Sequence, residues 1–525
     1  MTDPSSHPLR LPAFRALWIG SIASNLGVWI YDLGAVWLMT SLTASPLLIA
    51  LIQTAMNLPI VLLALPAGAL ADIVDRRWLL LFTQAWMLVA VVLLALLTWH
   101  GAVTPWLLLG LALVIGVGDA LNAPTWQAIT PELVPPDQLP TAVTLSGLGL
   151  NLARAVGPAL GGLIVALGGP TAAFAVNALA IASVLVIVAR WRRRHVASEL
   201  PSERVVEAIR AGLRYARHAP SLRAVLIRTA GFIAFGSALW ALLPHFARFE
   251  LGWGPAGYGI LLGLFGTGAV GVAALRRHLR HWFSVDALVA LATLLFAGVT
   301  LLLAWVRFSP VIAVGMIVAG AAWLTLLTLF NTSTLTVVPE WVRGRALALY
   351  LMVFFGGLAG GSAVWGALAE ILSPAIALAI AGVGLLVSLV LAPHYRLAVH
   401  EPLDLSPASH WPSPTVAFEP RHEEGPVFVA IEYQIDPDDA PAFIAAMAEM
   451  RLIRLGDGAM RWNLIQDIRK PSHFRESFVV ESWLDYLRQA ERLTVADQRV
   501  VARVCAFHRG PEPPMPAIFL ARNPR

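Results

Sequence analysis

The chain of 525 residues is poor in cysteine, lysine and charge of either sign. With Cys505 alone, no disulfide can form within the chain and no cluster of thiolates can hold a metal. Charged residues make up 13% of the sequence against 58% hydrophobic, and the mean hydropathy is +0.72. That balance excludes a soluble enzyme, which could not hide so much apolar surface. The sequence has no phosphate-cradling glycine loop of the Walker type, which argues against direct ATP hydrolysis. Neither a metal nor a cofactor is expected. The net charge of +5 rests on arginine, since Lys470 is the only lysine. Basic chains often bind nucleic acid. Here the arginines fall beside long apolar runs, so they read as topology signals and no nucleic-acid partner is expected.

What is present is a series of twelve apolar runs, near 14–41, 46–67, 78–99, 104–128, 138–168, 170–190, 222–247, 255–275, 284–306, 309–337, 344–371 and 374–393. About 20 such residues cross a bilayer as a helix. The run after Arg15 is too long for a signal peptide and has no evident cleavage site, so it reads as the first span. Arginines collect in alternate loops: Arg76 and Arg77, then Arg190 and 192–194, then Arg276, Arg277 and Arg280, then Arg343 and Arg345. The intervening loops hold little beyond Arg248 and Arg307. Both termini are therefore expected on the cytoplasmic side of a bacterial-type inner membrane. Pro131-Glu-Leu-Val134 after the fourth run and Pro339-Glu-Trp-Val342 after the tenth mark two parallel halves.

The expected organisation is a six-helix bundle over 1–191, a cytoplasmic linker with an amphipathic helix over 192–221, and a second six-helix bundle over 222–394. A proline-rich linker follows over 395–424, then a soluble cytoplasmic α+β domain over 425–525. In that last segment the alternation predicts β-α-β-β-α-β, a small ferredoxin-like sandwich. His473 and His508 have no ligand spacing, and the tail reads as a structural module able to dimerise.

An ionisable side chain within a span costs at least ~2.5–3.5 kcal/mol, so it normally faces a cavity or a partner. Asp32 lies deep in the first run with Asn25 and Trp29 on the same helical face. Asp119 lies in the fourth, followed by Asn122, and Arg154 in the fifth. Asp119 and Arg154 have two readings, a neutralising pair between neighbouring spans or part of a transport site. Asp32 has no partner in its own helix and reads as a functional acid. Thr325, Thr328 and Thr332, with Asn331 beside them, form a polar stripe in the tenth run; it is either a cavity wall or a set of back-bonded hydroxyls. Arg228 is placed to snorkel to the surface.

The sequence Gly68-Ala-Leu-Ala-Asp72-Ile-Val-Asp75-Arg76-Arg77, between runs two and three, resembles the signature loop of the major facilitator superfamily of secondary transporters. Asp75 stands where the wider superfamily usually has glycine, as in the branch with enterobactin-type siderophore exporters and macrolide efflux proteins. Arg154-Ala-Val-Gly157-Pro158-Ala-Leu-Gly161-Gly162 resembles the helix-5 motif of superfamily exporters. The tail resembles that of the same branch and, more distantly, the antibiotic-biosynthesis monooxygenase fold. The resemblance implies an all-α polytopic protein of twelve transmembrane helices in two repeats, with a cavity lined by spans 1, 4, 7 and 10. It implies export of an amphipathic small molecule (drug, siderophore or secondary metabolite) by alternating access and proton antiport, with Gly68, Asp72, Asp75, Arg76 and Arg77 as a cytoplasmic gate. The competing readings are an importer of similar fold, or a transporter whose tail is an oxygenase-like enzyme or ligand sensor.

Overall fold

The computed structural model describes residues 8–191, 205–397, 404–406, 408, 416, 418 and 420–522. The membrane helices are α1 (Pro12–Leu42), α2 (Pro46–Ile73), α3 (Arg76–Trp99), α4 (Pro105–Leu133) and α5 (Leu139–Arg190) in the first half. After α6 (Val205–His218) come α7 (Pro220–His245), α8 (Pro255–Trp282), α9 (Val285–Trp305), α10 (Ser309–Thr336), α11 (Arg343–Ile371) and α12 (Pro374–Ser388), closed by the short α13 (Leu391–His394). Several begin at a dipeptide that caps and starts a helix at once. Ser45, Thr104 and Ser373 each accept a backbone N–H of the first turn, and Pro46, Pro105 and Pro374 follow where no N–H is needed.

Eleven helices among the described residues are long and apolar enough to cross a membrane, and α5 is one of them. At 52 residues it would run about 78 Å, far beyond one bilayer. Gly169 breaks it with φ +73°, a conformation open to glycine, and Pro170 restarts the helix. Divided there, the set makes twelve crossings.

The chain forms two compact units. One comprises Met1–Val205, Arg228–Phe330 and Leu351–His394 and holds most of the membrane helices. The other comprises Val206–Ile227, Asn331–Tyr350 and Tyr395–Arg525. Its sheet has strands β1 (Val427–Gln434), β2 (Arg461–Gln466), β3 (His473–Val480) and β4 (Pro516–Leu520), all antiparallel in the order β2-β3-β1-β4. With α14 (Ala440–Asp457) after β1, and α15 (Trp483–Arg492) and α16 (Val495–Ala506) before β4, this is the ferredoxin-like arrangement. Val427, Val429, Ile431 and Tyr433 point into a core completed by Phe443, Met447 and Met450 of α14, while Phe428 and Glu432 point outward. In the same unit Trp341, between α10 and α11, packs edge-on against Tyr215 of α6 at 5.6 Å. The Arg492 guanidinium lies 4.5 Å over the Trp341 ring and donates to the Asp457 carbonyl at 2.6 Å.

Candidate functional site: a cavity among the membrane helices

Glycine decides how closely these helices approach. A Cβ on Gly157 would meet Trp29 Cβ at 2.6 Å, and one on Gly161 would meet Ile30 Cα at 3.2 Å. A Cβ on Gly162 would lie 2.7 Å from the Cα of Gly259 in α8. The helix-5 motif therefore presses the first limb of α5 against α1 on one side and α8 on the other. On the other half, Gly268 and Gly320 bring α8 and α10 into backbone contact.

Between these helices lies a cavity of about 280 Å³. The first half contributes Trp29 and Asp32 from α1, Gln53 and Asn57 from α2, and Arg154 and Pro158 from α5. The second half contributes an aromatic wall, in which Trp240 packs on Phe265 (5.2 Å) and Trp323 (5.5 Å), and Trp323 packs on Phe354 (5.9 Å). Gly149 facing Ile22 and Gly157 facing Trp29 fix the register of α5 on α1. Arg154 is thereby level with about Leu26, some six residues or about 9 Å nearer the arginine-rich loops than Asp32.

The other residues singled out from the sequence fall elsewhere. Asp119 does not line the cavity. No ion pair joins Asp119 to Arg154 among the described residues. Asn122 turns to α3, accepting from Gln84 Nε2 at 3.2 Å, and Asn25 donates to its own helix at Ser21 O, 2.7 Å. Thr325 back-bonds to Ala321 O at 2.7 Å. Thr325, Thr328, Asn331 and Thr332 are absent from the cavity wall, to which α10 gives Trp323, Leu324 and Leu327. Arg228 does not snorkel. It is buried and paired with Asp286 of α9 at 3.0 Å. Among the described residues no cluster of His, Cys, Asp or Glu could hold a metal ion.

In the charged loop, Asp75 caps α3, accepting from Arg77 N at 2.8 Å and Trp78 N at 3.3 Å. Arg77 reaches the far end of α5 and donates to the carbonyls of Val188 (3.3 Å) and Ala189 (2.6 Å) in the last turn of that helix. Arg76 is half-buried and partnered. The side chains of Gly68, Asp72 and Asn151 lie outside the described residues.

At the opposite end, where the connections carry few arginines, the two halves are joined. Glu370, at the end of α11, accepts from Ser45 Oγ at 2.6 Å and Leu47 N at 3.3 Å. Arg248 donates to Thr40 Oγ1 at 3.3 Å and lies 5.2 Å over the Trp37 ring, which stacks on Tyr258 at 6.3 Å. These contacts seal the cavity on that side. Sequence reasoning missed both the seal and much of the wall. Gln53 and Asn57, polar residues four apart in an apolar run, were a signal left unread.

Two six-helix halves around a central cavity define a secondary transporter of the major facilitator class. The chain belongs to the transmembrane secretion effector family, whose sequence profile matches residues 4–524. It is 30% identical over 142 residues to the staphyloferrin A transporter of Staphylococcus aureus, a match covering 27% of this chain and 36% of that protein. It is 28% identical over 378 residues to the multidrug efflux pump Tap of Mycolicibacterium fortuitum (66% of this chain, 86% of the pump). Identity to the enterobactin exporter EntS of Salmonella typhimurium is 24% over 385 residues (72% and 90%). The fold is similar to that of a bacterial homologue of the human lysosomal transporter Spinster in an inward-facing, occupied conformation. There the TM-score is 0.59 and the identity 14%, over 74% of this chain and 96% of that one.

Proposed function

We propose that this transporter exports an amphipathic small molecule from the cytoplasm by alternating access, driven by protons moving inward. The carrying observation is Asp32, a carboxyl group that lines the cavity with no ion-pair partner among the described residues. Such a group can take a proton or a cationic cargo but not both, which is the requirement for antiport. The exporter relatives support the direction, and the seal on the arginine-poor side is consistent with a cavity loaded from the cytoplasm. Arginine placement supports an inner membrane with both termini cytoplasmic. The outward-pointing Phe428 and Phe519 on the open face of the tail sheet (39% and 54% exposed) support pairing of tails. Everted vesicles carrying the full chain test the reading. Cargo should accumulate inside on imposing a proton gradient, and Asp32→Asn should abolish the gradient dependence. Undiminished proton-driven uptake by Asp32→Asn would remove Asp32 from coupling.

A further inference from the structure

The cavity holds an acid at one level and a base about 9 Å away along the helix axes, and they do not pair with each other. Among the described residues, neither Asp32 nor Arg154 has a hydrogen-bond or ion-pair partner. Aromatic side chains line the same cavity, Trp29 from the first half and the tilted Trp240–Trp323–Phe354 cluster from the second. Trp240 adds a third unmet demand, because its indole Nε1–H is buried without an acceptor. An isolated charge stripped of water is costly unless matched. A cargo that displaces water from this cavity while bearing only a cation would leave Arg154 and the Trp240 donor unmatched. One bearing only an anion would leave an ionised Asp32 unmatched and could enter only as that carboxyl took up a proton.

We infer that the cargo is a dipolar amphipath, with a protonated amine at one end, a carboxylate or comparable acceptor at the other, and an aromatic body one or two rings long between them. The amine meets Asp32, the acceptor meets Arg154 with Trp240 as a further donor, and the ring system lies against the aromatic wall, where cations and π faces attract. Size agrees. At about 280 Å³ the cavity lies at the lower edge of small-molecule sites, which run roughly 300–1,000 Å³. The inference rests on the export reading for its direction only.

Four compounds on one scaffold test it: 4′-(aminomethyl)biphenyl-4-carboxylic acid, its methyl ester, its N-acetyl acid and the N-acetyl methyl ester. These are the zwitterion, cation, anion and neutral forms of one body. Binding to the purified full-length protein is read by equilibrium dialysis, and outward transport separately in everted vesicles. The zwitterion is expected to bind at least tenfold more tightly than the ester or the N-acetyl acid. Arg154→Gln should bring the zwitterion-to-ester ratio to about one, a ratio that loss of folded protein does not move. A ratio near one in the parent, a preference that survives Arg154→Gln, or no binding by any of the four at millimolar concentration overturns the inference. The full binding pattern without outward transport upholds it and refutes the export reading instead.

Discussion

Glu476 has no exposed surface, yet it carries a charge at the centre of the tail. Its carboxylate accepts from Arg454 Nε (3.1 Å), Tyr433 OH (3.1 Å) and Trp462 Nε1 (2.9 Å), and the Arg454 guanidinium lies 4.9 Å over the Phe478 ring. Glu476→Gln keeps the volume and removes the negative charge that faces the buried Arg454 guanidinium. Breaking one side of such a pair costs roughly 3–5 kcal/mol. A domain of this size holds only about 5–15 kcal/mol in total, so the loss is a large part of it. With a urea dependence of about 1.5 kcal/mol per molar, the unfolding midpoint should fall by about 2–3 M. The protein carries its own reporter, since its single cysteine, Cys505, is half-buried in α16. Maleimide labelling of Cys505 against urea, in membranes containing the whole chain, follows tail opening without isolating the tail. Glu476→Leu with Arg454→Met should recover most of the loss, because it removes both charges at once. A midpoint shift under about 0.5 M for Glu476→Gln would refute the idea that this ion pair carries a large share of the tail's stability.

Asp457 gives the tail a pH dependence. Burial pushes its carboxyl up to about 8, and Asp497 adds to the effect. The folded tail therefore holds a proton that the unfolded chain releases near pH 4, so stability should fall as pH rises from about 4 to about 8 and level off above. The slope is at most about 1.4 kcal/mol per pH unit, and urea midpoints that Asp457→Asn does not flatten would contradict it. In the membrane unit, Gly162→Leu should drive α5 from α8 and cut transport at least tenfold at equal membrane abundance. Gly263→Ala, whose Cβ would sit 3.5 Å from Ala159 Cβ, should change little. At the seal, Glu370→Ala or Arg248→Ala removes contacts of about 0.5–1.5 kcal/mol each, enough to raise outward opening about two- to tenfold. Labelling of Val36→Cys from outside by an impermeant maleimide, in a Cys505→Ser background, reads that opening, and unchanged labelling would exclude them from the seal.

Helix positions were legible because hydrophobicity along a span is a one-dimensional property, and even the break at Gly169–Pro170 is written in the dipeptide. The β-α-β-β-α-β order was equally readable from the alternation of Val427, Val429 and Ile431 with Phe428 and Glu432. Rotation of each membrane helix about its axis was not. In α10 the threonines suggest a polar face, but a hydroxyl can satisfy itself on the preceding turn, as Thr325 does, and the cavity takes Trp323, Leu324 and Leu327 instead. An all-apolar helix has no moment to orient it, so the wall-forming Phe265 and Phe354 looked like any lipid-facing aromatic. Nor could the sequence reveal that Trp341 and α6 belong with the tail, since an Arg492–Trp341 contact spans some 150 residues of chain.

The charged loop and the seal differ in a way that bears on mechanism. Arg77 ties α3, which Asp75 caps, to the end of α5, and both helices belong to the same half. Such ties stiffen that half and need not break when the cavity changes sides. The seal joins opposite halves through a few contacts of partly exposed Glu370 and Arg248, each worth little in water. The glycine-lined seam between α5 and α8 supplies contact without side chains to interlock. If export proceeds by alternating access, the step that opens the cavity outward should therefore break the Ser45–Glu370 and Thr40–Arg248 contacts and leave the Arg77–Ala189 contact intact. Arg77→Ala should accordingly lower thermal stability of the first half, read by its melting in detergent, more than it changes external labelling of Val36→Cys.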